Sequence, residues 1–266
     1  MKPHAFSYLR PDSVAEAVDL LNSNPASAAL AGGQSLMPAL ALRERRADLL
    51  VDISQLDDLR GISLSGGTVT VGAAEPMWDL ERSELIRVHL PLLALTLSTV
   101  GAPGIRSRAT LGGSAGWADR TSQLPAALIA LDATIVSSRR RIKAHEFFIG
   151  HGQTALDHGE LVLSFEFSAT SRKEHDLQLV RRTHITWPVA GAAATRTDTE
   201  AIRVALFGVA QAPILINATD PADAAEQASE LAAPFDDEHA TSEYRRRVIP
   251  VLARRAAENT VRVEIR

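Results

Sequence analysis

The sequence predicts an α+β fold, with short strands and helices mixed along the chain in two or three modules. Three observations carry this reading. Residues 61–72 alternate polar and apolar side chains, I-S-L-S and T-V-T-V-G, about a Gly66-Gly67 pair, the pattern of a hairpin with a tight turn. Val14, Ala17, Val18, Leu20 and Leu21 recur instead at helical spacing. In the last third, three strand-like runs are followed by two helical ones.

Taken in order, Pro11-Asp12-Ser13 starts a helix that residues 22–27 end. Residues 28–31 form a strand and 36–43 a helix. D-L-L-V-D-I at 48–53 is a strand, and 57–59 a turn. After the 61–72 hairpin come a short helix at 77–83 and an apolar one at 91–100. Residues 109–124 read as a glycine-rich loop between apolar segments, and a helix follows over 123–131. Residues 134–138 and 141–144 form a strand pair, and L-V-L-S-F-E-F at 161–167 another strand. The polar run A-T-S-R-K-E-H-D at 169–176 marks a domain boundary. Strands are expected at 177–181, 189–195 and 202–209, and helices at 221–231 and 242–259. On the last helix, Tyr244, Val248, Val251 and Leu252 form the expected core face, and Arg245, Arg246, Arg254 and Arg255 a solvated basic face.

With 266 residues and 45% hydrophobic content, the chain can pack one large or two to three small domains. Its 28 basic and 32 acidic residues leave a net charge of −4, so nothing points to nucleic acid or a membrane surface. The absence of cysteine excludes disulfides, thiolate catalysis and cysteine-held iron–sulfur clusters on this chain. No segment is apolar and long enough to span a bilayer, and the first residues lack the apolar core of a signal peptide, so a cytoplasmic location is expected.

Two Gly-Gly stretches stand out. L-A-G-G-Q-S-L-M-P (30–38) and A-T-L-G-G-S (109–114) each place a hydroxyl residue after the glycines. Glycine permits backbone angles and close approach that a side chain forbids, and free N–H groups suit phosphate oxygens. Two such loops can hold two phosphates of one ligand, although neither matches the G-x-G-x-x-G or G-x-x-x-x-G-K-[ST] pattern.

L-A-G-G-Q-S-L-M-P and I-R-S-R-A-T-L-G-G-S (105–114), with A-D-R-T-S-Q-L-P (118–125), H-E-F-F-I-G (145–150), G-E-L-V-L-S-F-E-F (159–167) and H-A-T-S-E-Y-R-R-R-V (239–248), resemble the FAD-binding medium subunit of molybdenum hydroxylases, in order and over essentially the whole chain. The relatives are of carbon monoxide, nicotine and xanthine dehydrogenase type. The resemblance implies a p-cresol methylhydroxylase-like FAD-binding domain of two subdomains (1–56 and 57–170) and a C-terminal domain of a small sheet and helices (171–266). It implies non-covalent FAD, with molybdopterin and 2Fe–2S clusters only on partner subunits: an iron–sulfur small subunit and a molybdopterin large subunit, arranged as a dimer of heterotrimers. Electrons would pass from the clusters through FAD to an external acceptor. Leu30, Ala31, Gly32, Gly33, Gln34, Ser35 and Leu36, with Thr110, Gly112, Gly113 and Ser114, would line the pyrophosphate, largely through backbone N–H groups. Ala102 would approach the flavin, Leu161 would pack near the cofactor, and Gln123 stands where many members carry a carboxylate facing FAD hydroxyls.

The sequence departs from the family at Ala109 (usually Gly), Trp117 (small or His), Arg120 (Pro) and Thr186-Trp187 (Asp, then an aromatic). Trp117 is either a flavin-side aromatic or a packed loop residue. The eight histidines are scattered, and His151 with His158 makes no recognisable metal pair. No catalytic nucleophile, acid–base set or metal ligand is assigned, as befits a protein whose cofactor carries the chemistry. A stand-alone FAD oxidoreductase on the same scaffold and a flavin-free interaction module are the competing readings.

Overall fold

The computed structural model describes residues 2–169, 174–183, 186–196 and 201–261. The first sheet is all parallel. β1 (Ser7–Leu9), α1 (Val14–Ser23), β2 (Ser27–Leu30), α2 (Leu36–Leu42) and β3 (Leu49–Asp52) follow in sequence, and the strand order is β1-β3-β2. Parallel neighbours need crossovers, and the helices supply them. Ser13 caps α1 by accepting from the Glu16 N–H, and Ala17 and Leu21 are its buried positions. β1 escaped the sequence reading because its three residues are all exposed, so no periodicity marks it.

A 3₁₀ turn at Asp57–Leu59 leads into β4 (Ile62–Ser65) and β5 (Thr68–Gly72). Gly66 and Gly67, with φ of 55° and 78°, make the turn whose twist matches the strands. Then come α3 (Met77–Arg82), α4 (Glu84–His89), α5 (Pro91–Ser98), α6 (Pro103–Arg106), α7 (Leu111–Trp117) and α8 (Gln123–Ala130). β6 (Thr134–Ser137), β7 (Arg141–Lys143), α9 (Ala144–Phe147), β8 (Phe148–Gly150), β9 (Gln153–Thr154) and β10 (Val162–Ser168) complete this part. Its antiparallel sheet runs β4-β5-β10-β6-β7 around Phe147, Phe165 and Phe167, and β8 and β9 form a separate pair.

The glycine-rich stretch is corrected here. It is not one loop: residues 111–117 are helical, because Thr110 Oγ1 accepts from the Gly113 N–H and caps the turn. Three glycines and a serine hide the helix from propensity arguments.

A four-stranded antiparallel sheet follows, β11 (His175–Val180), β12 (Ala190–Arg196), β13 (Ile202–Phe207) and β14 (Ile214–Ala218), in that order, with α10 (Pro221–Leu231) and α11 (Ser242–Val261). Residues 170–173 of the expected boundary run lie outside the described residues. β12 reads A-G-A-A-A-T-R because both its faces are covered: Ala193 joins the core around α8, and Ala190, Ala192 and Ala194 join the core under α11. A Cβ on Gly191 would stand 2.2 Å from the Phe207 ring.

The expected faces of α11 are also corrected. Arg245 is fully buried, while Tyr244 and Val251 are exposed. The core face is Ile249, Leu252, Ala253, Ala256 and Ala257. Arg245 can go inside because the carbonyls of Val189 and Gly208 accept from its Nη1 and Asp237 from its Nη2, although its Nε has no partner among the described residues.

Candidate functional site

A cavity of about 630 Å³ opens where the three sheets' connecting segments meet. Of the residues singled out from the sequence, Ala31, Gly32, Gly33, Gln34, Ser35, Leu36, Ala102, Thr110, Gly112, Gly113, Ser114, Gln123 and Leu161 all line it. Leu30 does not. It sits at the end of β2, packs with Leu40, Ala47 and Leu50, and gives its carbonyl to the Ile53 N–H.

The two glycine stretches touch each other. A Cβ on Gly32 would stand 2.0 Å from the Arg108 carbonyl oxygen and 2.8 Å from Ala109 Cα. Gly33 holds φ at 71°, turning the chain into α2. The N–H groups of Gly32, Gly33, Gln34 and Ser35 donate to no described residue, and the Ser35 hydroxyl makes no cap bond. That concentration of free donors on a cavity wall suits an anion.

The second stretch works differently from what the sequence suggested. The Gly112 N–H is donated to Ala73 O (2.9 Å) and the Ser114 N–H to Thr110 O (3.0 Å), while the Gly113 N–H is taken by the cap. Those donors are spent inside the protein. What α7 offers instead is a bare face: Gly113 and Gly116, one turn apart, both line the cavity, and a Cβ on Gly116 would meet nothing within 4 Å. Gly116 was missed, although the G-x-x-G spacing was visible.

Gln123 is buried at the start of α8. Its Nε2 donates to Thr99 Oγ1 at 3.2 Å, and Thr99 Oγ1 donates to Thr96 O at 2.7 Å. No described group donates to the Gln123 amide oxygen. Trp117, the last residue of α7, lines the cavity and lies under Arg45, whose guanidinium is 4.9 Å from the ring centre. Arg120 is not on the cavity and faces the C-terminal sheet. Thr186, Trp187 and Pro188 also line the cavity, from the connection between β11 and β12. The sequence marked Thr186-Trp187 as a departure from the family pattern, not as cavity residues.

Glu160 is the cavity's buried carboxylate. Ser137 Oγ donates to it, as do the Asp157 N–H (2.8 Å) and Arg140 Nη2 (3.2 Å). Burial alone would raise its pKa, but Ser137, the Asp157 N–H and Arg140 together hold it below the usual carboxylate range. Its stabilisation is therefore present at neutral pH and lost as pH falls through that depressed pKa. Glu160→Gln is expected to cost about 1–3 kcal/mol in urea unfolding at pH 7. The difference from wild type should shrink below about pH 4.5. A gap that stays constant from pH 7 to pH 4 would show that the charge is not what stabilises this corner.

The architecture and site admit FAD. The cavity lies within the range of small-molecule and cofactor sites, one wall carries N–H groups with no acceptor among the described residues, and another has open space beside Gly116. Among the described residues no cluster of three or more His, Asp or Glu could hold a metal ion, and no helix is long and apolar enough to cross a membrane.

Comparison with known proteins gives a consistent result. Residues 4–168 match the family described as FAD binding domain in molybdopterin dehydrogenase. The chain is similar to the glyceraldehyde dehydrogenase medium chain of Sulfolobus acidocaldarius, 32% identical over 96% of this chain and 98% of that one. It is also similar to the carbon monoxide dehydrogenase medium chain of Hydrogenophaga pseudoflava, 34% identical over 79% and 77% of the two chains. Among solved structures, carbon monoxide dehydrogenase from Hydrogenophaga pseudoflava superposes with a TM-score of 0.91 at 30% identity, over 98% of this chain and 99% of that one. Quinoline 2-oxidoreductase from Pseudomonas putida 86 does so at 0.88 and 28%, over 98% of each chain.

Proposed function

Because this chain belongs to the family of FAD-binding domains in molybdopterin dehydrogenases, we propose that it is the flavin station of a multi-subunit electron-transfer assembly. It is an FAD-dependent oxidoreductase subunit, the medium chain of a molybdenum hydroxylase. The finer reading is that a small partner with 2Fe–2S clusters delivers electrons to FAD, and that a large molybdopterin partner oxidises the substrate. An external acceptor then takes the electrons away, and the assembly is a dimer of heterotrimers. The observation that carries this reading is the row of N–H groups from Gly32 to Ser35, without an acceptor among the described residues, on the same cavity as Gly113 and Gly116 of α7.

When bound, FAD supplies the redox chemistry, and the protein supplies position and field. The first glycine stretch would hold the pyrophosphate by its backbone donors, with Ser114 beside it. Gln123 would accept from a sugar hydroxyl, without the charge assistance of a carboxylate. Leu161 and Ala102 would pack against the ring systems and keep water away. Residues 1–56 and 57–170 would form the two FAD subdomains, and 171–266 the C-terminal domain that closes over them. The stand-alone reading lacks machinery: of the acidic groups on the cavity, Glu160 is neutralised by Arg140 and Asp119 accepts from Thr121.

The first test is the visible spectrum of the purified chain before and after acid denaturation. A yellow protein that releases FAD is expected. A colourless chain that fails to bind added FAD would sink the proposal. Gly116→Val probes the cradle: the side chain enters open space, so melting temperature should hold while flavin content collapses. Full flavin retention would remove α7 from the site.

A further inference from the structure

Arg120 lies between cavity residues, directly after Asp119 and three before Gln123, yet its side chain leaves the cavity. Its guanidinium stands 3.3 Å from the centre of the Phe235 ring, and Arg245 stands 4.3 Å from the same centre. Two guanidiniums on one ring repel each other, and Asp237 offsets this by pairing with Arg245. Arg120 Nη1 also donates to Gln211 Oε1 at 3.2 Å, and the Arg120 carbonyl accepts the Gly208 N–H at 2.7 Å.

The far side of this cluster reaches the residue next to the cavity-lining 186–188 segment. Arg245 Nη1 donates to the carbonyls of Val189 and Gly208. Val189 follows Pro188 directly, and Thr186, Trp187 and Pro188 line the cavity. Trp187 is 50% exposed, so half of its surface remains open to a quencher. One cluster therefore links the segment carrying Asp119 and Gln123 to the segment carrying Trp187.

We propose that Arg120, Phe235 and Arg245 are positioning residues that clasp the 186–188 segment against the cofactor cavity and so set its affinity for FAD. The inference rests on the reading of that cavity as the flavin site. Arg120 is suited to the task because a planar guanidinium presents a flat face to the ring and several fixed donors to groups such as Gln211, whereas an ammonium is a compact point charge.

The test uses the full chain, with Arg120→Met, Phe235→Leu and Arg120→Lys. Two quantities are measured: the Kd for FAD by titration, and acrylamide quenching of Trp187, isolated by subtracting a Trp187→Phe background. In Arg120→Met, Kd should rise about tenfold, the scale of a partly desolvated cation–π contact. Trp187 quenching should rise with it while the far-ultraviolet circular dichroism stays unchanged. Phe235→Leu should do the same, and Arg120→Lys should fall between. Unchanged Kd and quenching would overturn the clasp even if the melting temperature dropped, since a merely structural contact moves only that. Should Arg120→Met not fold, Arg120→Lys carries the same two readouts. In a chain that binds no FAD the cofactor reading falls by itself. The quenching then decides the clasp alone: a rise supports it and no rise overturns it.

Discussion

Gly32→Ala is expected to abolish flavin binding and to destabilise the protein, although it adds one methyl group. The new Cβ would sit 2.0 Å from the Arg108 carbonyl oxygen and 2.7 Å from its carbon, both backbone atoms. No rotamer change relieves a clash with backbone, so the two glycine stretches must move apart. Overpacking of this kind costs typically about 1–3 kcal/mol, and here it also spreads the wall that carries the free N–H groups. Gly33→Ala is the control. Its Cβ meets only side-chain carbons of Leu30 and Met37 at 3.3 Å, and its penalty is the left-handed backbone. The expected order of flavin content is wild type, then Gly33→Ala, then Gly32→Ala near zero, read from the absorbance ratio of flavin to protein. Equal retention in both variants would show that close approach of the two stretches does not shape the site.

Arg245→Met is expected to give the largest loss of stability in the C-terminal part, about 3–5 kcal/mol in urea unfolding, because it leaves a partly buried carboxylate without its partner. The carbonyls of Val189 and Gly208 lose their donor as well. Burial by itself would raise the Asp237 carboxyl, but the N–H groups of Ala240 and His239 and the Arg245 guanidinium hold it below the usual range. The pair therefore stabilises above the ordinary carboxylate pKa and stops doing so as pH falls through the depressed one. The gap between wild type and variant should be widest at neutral pH and narrow below about pH 4. A loss under about 1 kcal/mol at pH 7 would mean the buried ion pair roughly balances its own desolvation.

Much of this fold was legible in the residues. The hairpin about Gly66-Gly67, the capped α1 and the apolar α5 and α8 each follow from local periods and turn chemistry. α7 was not, because Gly112 and Gly113 lower helix propensity, and the helix start that offsets them is held by distant chain: Ala73 O accepts from the Gly112 N–H and Ala109 O from the Met77 N–H. β1 was too short and exposed to leave a pattern. Arg245 was placed on the wet face of its helix by its charge, and only the meeting of Asp237, Val189 and Gly208 makes a buried arginine affordable. The cavity followed the same division. The motifs at 30–38 and 109–114 marked two of its walls, but 186–188 come from a distant part of the chain with no motif of their own.

The sequence by itself determined the family, the two glycine stretches, and the absence of any cysteine that could hold the clusters. Those depend on residue type and local spacing, which a chain carries before it folds. The tertiary structure alone decided which N–H groups remain free, that Gly32 serves contact between the two stretches, and that Arg120 turns from the cavity toward Phe235. Each of those is a matter of what a group meets once distant segments pack, and hydrogen-bond partners and steric limits exist only between neighbours in space.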